Sequence, residues 1–151
     1  MKTLAVPHFR QQHSHTCLPA CVRMLLAYRG YTHNEDELAQ AFGTVPFLGT
    51  PPEKVVAGLQ SLGYHGMWFE NATLDRLRHL LAHDWPVIVF LRAADLPHGI
   101  SGLHAVVVIG IESQSVICQD PSLSNSKLRL AMKLFLHAWS ALDHQGLVVW
   151  K

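Results

Sequence analysis

The run HAVVVIGI, His104–Ile111, constrains this chain more than any other stretch. It is apolar at almost every position and rich in β-branched residues. Such a run fits a strand buried on both faces rather than a half-solvated one. A strand of that kind needs partners at its sides and layers above and below. Val87–Leu91 reads as a second buried strand, and Val116–Gln119 as the return of a hairpin across the turn Glu112–Ser115. Met67–Phe69, Lys127–Met132 and Leu147–Trp150 read as further short strands, and Arg92–Leu103, rich in Gly and Pro, as a loop.

The covering layer comes mainly from the first half. Cys21, Met24, Leu25 and Tyr28 recur at three- and four-residue spacing, which predicts a helix over Cys17–Arg29. Thr16 is its expected N-cap, Pro19 suits the first turn, and Gly30 is the stop. Asn34 caps a second helix, Glu35–Phe42. Thr50-Pro51-Pro52-Glu53 opens a third, with Val55, Val56, Leu59 and Leu62 inward and Gly63 at its end. Thr73 caps a fourth, Leu74–Ala82, and Leu134–Leu142 adds a late one. Helices gathered before antiparallel strands define an α+β fold, a helical half packed on a β-sheet half, rather than a doubly wound one.

At 151 residues and 49% hydrophobic content, the chain is expected to form one domain, residues 1–151, with a core that needs no disulfide staple. The formal net charge is +1 and no basic run occurs, so nucleic acid is excluded as a partner. No apolar run approaches the ~20 residues that span a bilayer, and MKTLAVPH is too short an apolar stretch for a signal peptide. Three cysteines do not make a secreted disulfide framework; reduced thiols and a cytoplasmic location are expected.

The chemistry centres on Cys17. A thiol at a helix N-terminus meets the positive end of the macrodipole, which favours thiolate. Its catalytic partner is expected from elsewhere in the fold. His104 stands at the mouth of the central strand, after Ser101-Gly102-Leu103, and Asp120 ends the following strand of the same hairpin. Antiparallel neighbours bring the start of one strand beside the end of the next, so His104 and Asp120 are expected to meet. The carboxylate would then hold the imidazole's tautomer and orientation. Asp120-Pro121 is also a turn signal in which Asp bonds its own backbone, and the two readings are compatible. Gln11 offers a side-chain amide, and Cys17 its backbone N–H, to a developing oxyanion.

These residues carry a resemblance. Gln11, five intervening residues, then Cys17 with Pro19-Ala20 leading into a helix resembles the Gln–Cys segment of papain-like cysteine peptidases. The order Cys…His…Asp, with HAVVVIGI and then VICQDP, is similar to the bacteriocin-processing, double-glycine leader peptidase branch, over Val6–Trp150. The resemblance implies Cys17 as nucleophile, His104 as proton relay, Asp120 as its orienter and Gln11 in the oxyanion hole. It implies a peptide or protein substrate cut after a Gly-Gly-type leader end; no cofactor or metal is expected. Leu18 stands where many members have glycine, and its side chain is expected to narrow the cleft or alter the approach to the oxyanion hole. Gln12 follows Gln11, so a one-residue shift exchanges the inward amide. No attached transporter domain is read from the sequence, and oligomeric state is left open. Two rivals remain: a catalytically inactive relative that binds a peptide or protein, and a zinc-binding protein using His13, His15, Cys17 and Cys21. The second lacks the tight Cys-x2-Cys pairs usual for structural zinc. Cys21 and Cys118 are expected in the core, with Cys21 alternatively a resolving thiol for Cys17.

Overall fold

The structure, a computed structural model, describes residues 3–46, 49–99 and 102–151; Ser101 of the predicted loop lies outside them, as do Met1 and Lys2. The run singled out in the sequence is a strand, β3 (Leu103–Ile111), fully buried from Ala105 onward. Its neighbours are β2 (Val87–Arg92) and β4 (Ser115–Gln119), both antiparallel to it. Further strands are β1 (His65–Phe69), β5 (Leu128–Ala131) and β6 (Gly146–Trp150). Among the described residues they form one six-stranded sheet in the order β1-β6-β2-β3-β4-β5, every pair antiparallel.

The helices are α1 (Cys17–Tyr28), α2 (Glu35–Ala41), α3 (Pro52–Ser61), α4 (Leu74–Ala82) and α5 (Met132–Ser140). The α+β expectation holds, with two refinements. β1 comes from the helical half yet closes the sheet edge against β6, and α5 comes from the strand half and packs on β2. β1 starts two residues before the predicted Met67, because pairing of His65 with Trp150 extends it. The predicted loop Arg92–Leu103 holds a short 3-10 turn, Ala93–Asp95, and α5 begins at Met132, two residues early.

α1 is the element that matters for the site. Its residues Leu18–Val22 and Met24–Leu26 are all buried, more than one apolar face predicts, because it is covered on several sides. The Cys21 thiol donates to the carbonyl of Ala105 at 3.4 Å, which seats the start of α1 against the start of β3. Gly30 adopts φ +92°, the left-handed geometry that ends helices at little cost to glycine. α2 and α3 pack closely because position 58 is glycine: a Cβ there would stand 2.5 Å from the Ala41 carbonyl oxygen. No helix among the described residues is long and apolar enough to cross a membrane.

Candidate active site

Cys17 is the first residue of α1 and is partly exposed. As an opening residue, its N–H lies outside the helix's own hydrogen-bond ladder. Thr16 occupies the N-cap position, but its hydroxyl makes no capping bond, which corrects the predicted cap. The side chain turns instead to the carbonyl of His13 and to Oε2 of Glu35, both at 2.9 Å. Glu35 Oε2 also accepts the backbone N–H of Gln12 at 2.9 Å. One fully buried carboxylate thus fastens both ends of the loop between Gln11 and Cys17. The sequence showed Glu35 only as a first-turn acid of α2; no local pattern marks an acid that bonds a loop 19 to 23 residues away.

Gln11 is fastened on the other side. Its backbone N–H donates to Pro121 O at 2.7 Å, and His8 Nε2 meets Asp120 O at 2.8 Å. Both bonds tie the N-terminal segment to the turn after β4. The Gln11 amide nitrogen donates one hydrogen to the His13 carbonyl at 2.7 Å, and its Oε1 is buried without a partner among the described residues. A primary amide carries two N–H bonds, so one donor remains for a ligand. Gln12 is exposed. Beside this segment runs an open groove of about 400 Å³ lined by Arg10, Gln11, Gln12, His13, Ser14 and Ser122. His13 and His15 stack their rings 5.5 Å apart on this flank.

The hairpin β3–β4 delivers the other groups. Val107 faces Gln119, so continuing that register puts Asp120 beside Val106, on the face His104 shares. His104 Nε2 lies 2.7 Å from Asp120 Oδ1. Asp120 also accepts from its own turn: the Ser122 N–H at 2.8 Å and the Ser122 hydroxyl at 2.7 Å, both on Oδ1. The turn reading and the orienting contact therefore hold together. A group no motif announced, His98, brings its Nε2 to 2.6 Å from Asp120 Oδ2. It was one of eleven scattered histidines, without a spacing to distinguish it.

Charge follows from this packing. Burial pushes the His104 ring toward the neutral form. The hydrogen bond to Asp120 and the nearby charge of Asp120 and Cys17 outweigh that and raise its pKa to about 9. For Asp120, burial favours the neutral acid, but the bonds from His104 and Ser122 prevail and hold the carboxyl well below the usual range. Cys17 is one of the groups acting on His104, so the sulfur of α1 and the hairpin imidazole lie near each other. Cys21 and Cys118 are fully buried, and burial pushes both thiols up, as expected of core residues.

Leu18 departs from expectation. Its side chain is only 4% exposed and packs in the core, so it does not narrow a cleft. His98, His104 and Asp120 offer ligand-type atoms close together. Their N···O separations of 2.6 and 2.7 Å are hydrogen-bond lengths. Ligands around one tetrahedral zinc, each about 2.0 Å from the ion, stand roughly 3.3 Å apart.

Comparison with known structures places this architecture. The fold is the papain-like one of C39 peptidase domains. A C39-like peptidase from Bacillus anthracis matches with a TM-score of 0.78 and 18% identity, over 97% of this chain and 95% of that one. The peptidase domain of Streptococcus ComA, a bi-functional ABC transporter involved in a quorum-sensing pathway, matches at 0.72 and 20%, over 94% and 96%. A double glycine motif protease from an AMS/PCAT transporter, in complex with the leader peptide, matches at 0.73 and 17%, over 98% and 93%. At these identities the likeness is one of fold. In sequence, residues 3–147 match the model of the Peptidase_C39 like family, and the chain belongs to that family. No match was found among curated proteins.

Proposed function

We propose that the protein is a cysteine peptidase in which Cys17 is the nucleophile, His104 the proton relay, Asp120 the orienter and Gln11 an oxyanion donor. One observation carries the reading: His104, at the mouth of β3, is hydrogen-bonded to the buried Asp120 carboxylate and lies close enough to the thiol at the start of α1 for the two groups to interact. With Nε2 engaged by Asp120, Nδ1 is the nitrogen left to exchange a proton.

The steps follow from that arrangement. With the proton held on His104, the Cys17 thiolate attacks the carbonyl carbon of the scissile amide. The carbonyl oxygen becomes an oxyanion, held by the free amide hydrogen of Gln11 and the Cys17 N–H. The imidazolium protonates the leaving nitrogen, the C–N bond breaks, and a thioester remains on Cys17. His104 then takes a proton from water. The hydroxide attacks the thioester, the C–S bond breaks, and the acid product leaves the Cys17 thiolate paired again with the His104 imidazolium. Membership of the family and the leader peptide bound to the PCAT protease support a peptide substrate, with a Gly-Gly-type leader end as the first to try. The groove beside Gln11, which neither Cys17 nor His104 lines, offers room for substrate residues further from the scissile bond. A cytoplasmic site of action fits the three free thiols.

One observation favours an inactive, peptide-binding relative: the Gln11 amide already spends a hydrogen on His13. The experiment that separates the two is turnover of a peptide library containing Gly-Gly-ending sequences, with Cys17→Ala as control. A peptidase cleaves at least one sequence, and the variant loses the activity by about 10³-fold or more. Binding without cleavage, or full turnover by Cys17→Ala, overturns the assignment.

A further inference from the structure

We propose that His98 is a positioning residue for this reaction: its imidazole holds the outer oxygen of Asp120, so that the inner oxygen stays turned to His104. The proposal rests on the peptidase reading above. Asp120 is fully buried, and its two oxygens are loaded unequally. Oδ1 takes His104 Nε2 and both donors of Ser122. Among the described residues, Oδ2 takes one partner, His98 Nε2 at 2.6 Å.

The carboxylate torsion of an aspartate is broad and roughly two-fold, so bonds on both oxygens hold the plane more firmly than bonds on one oxygen alone. A bond on the second oxygen fixes the plane. His98 makes that bond from a different part of the chain, between β2 and β3, so the plane is referenced to the sheet and not only to the turn holding Ser122. The local backbone is built for it. The Gly99 N–H donates to Leu96 O at 3.2 Å, and Leu96 is buried. A Cβ at Gly99 would fall on the Ala93 carbonyl, so only glycine lets the chain fold back tightly beside His98. His98 as a residue is exposed, but its side chain is turned in and keeps 25% of its surface open.

The other ionisable groups around the pair are His8 from the N-terminal segment, on the Asp120 backbone carbonyl; Cys17 and Cys21 from α1; Cys118 from β4; and Glu35 from α2, beyond Cys21. None of them is bonded to Oδ2 among the described residues.

The test compares His98→Leu, which removes the donor, with His98→Gln, which keeps an N–H donor. His98→Leu is expected to lower kcat about tenfold with KM changed by less than about twofold, and His98→Gln to recover most of that loss. A second readout needs no peptide: the iodoacetamide alkylation rate of Cys17 at pH 6 relative to pH 9. With Asp120 held less firmly, the His104 imidazolium has a less fixed counter-charge, and this ratio is expected to fall about threefold in His98→Leu and to hold in His98→Gln. A parent protein that cleaves no peptide sinks the peptidase reading but leaves the alkylation comparison intact. The positioning role is overturned if the alkylation ratio in His98→Leu stays at the parent value. It is equally overturned if both variants fall together, with melting curves showing a common loss of folding.

Discussion

At the scale of single residues, the site is a set of polar groups buried so that each has few choices of partner. Asp120 illustrates the rule: it is wholly enclosed, yet it accepts from His104, His98 and Ser122, so the burial is compensated. Glu35 is less well compensated, with Oε1 buried and without a partner among the described residues. Its value lies in the two donors on Oε2, the Gln12 N–H and the Thr16 hydroxyl, which frame the loop leading to Cys17. Glu35→Ala orphans the Gln12 N–H and leaves the Thr16 hydroxyl only the His13 carbonyl, and denaturant titration should show a loss of about 1–3 kcal/mol. Glu35→Gln keeps an acceptor and sheds a buried charge, so its loss should be less than half as large. Equal losses would mean that the negative charge, not the acceptor, holds the loop. Neither Glu35 nor His98 could be read from the sequence, because each acts on a partner more than a dozen positions away with no periodic signal between.

At the scale of elements, two junctions place the chemistry. One is the start of α1, where Cys17 emerges at an uncapped end and Cys21, one turn later, bonds the carbonyl of Ala105. The other is the hairpin β3–β4, whose register brings Asp120 to His104 across sixteen residues of chain. The hairpin was legible beforehand, since a tight turn between two apolar runs fixes which ends meet. The helix was legible from its period. Its depth of burial was not, because that depends on what packs over it. The α2–α3 contact is a similar case, hidden behind one glycine. Gly58→Val should force the helices apart, and thermal melts should show a destabilisation of about 1–3 kcal/mol. Because α2 carries Glu35, peptide turnover should fall as well. An unchanged melting temperature would show that the α2–α3 approach has slack.

At the scale of the whole molecule, the ionisation of the site is linked to folding. His104 titrates at about 9 in the native protein, against roughly 6.5 for an unfolded imidazole, so the folded state holds this proton more tightly. That contribution is complete below pH ~6.5 and disappears as pH rises through about 9. Asp120 works in the opposite sense: its lowered pKa adds stability above pH ~4 that is lost on acidification. Unfolding free energy should therefore decline between pH 6.5 and 9. The decline should flatten in His104→Gln, as followed by urea titration at several pH values. A slope that His104→Gln leaves untouched would show that other groups govern the alkaline limb.

Period and apolar patterning, read along the chain, were enough for the α+β class, for most element boundaries, and for the hairpin that pairs an imidazole with a carboxylate. All of these depend on neighbours within a turn, a strand or one hairpin, and local sterics and burial act at that range. The meeting of Cys17 with His104, 87 positions apart, was supported beforehand only by a family likeness. It took the packing of α1 onto the sheet to bring them together. Tertiary packing likewise turned Leu18 inward, drew the Thr16 hydroxyl to Glu35 and, between the β2–β3 connection and the end of β4, set His98 on the outer oxygen of Asp120. A buried polar atom takes whichever partner the assembled core leaves within reach, and no stretch of sequence encodes that choice alone.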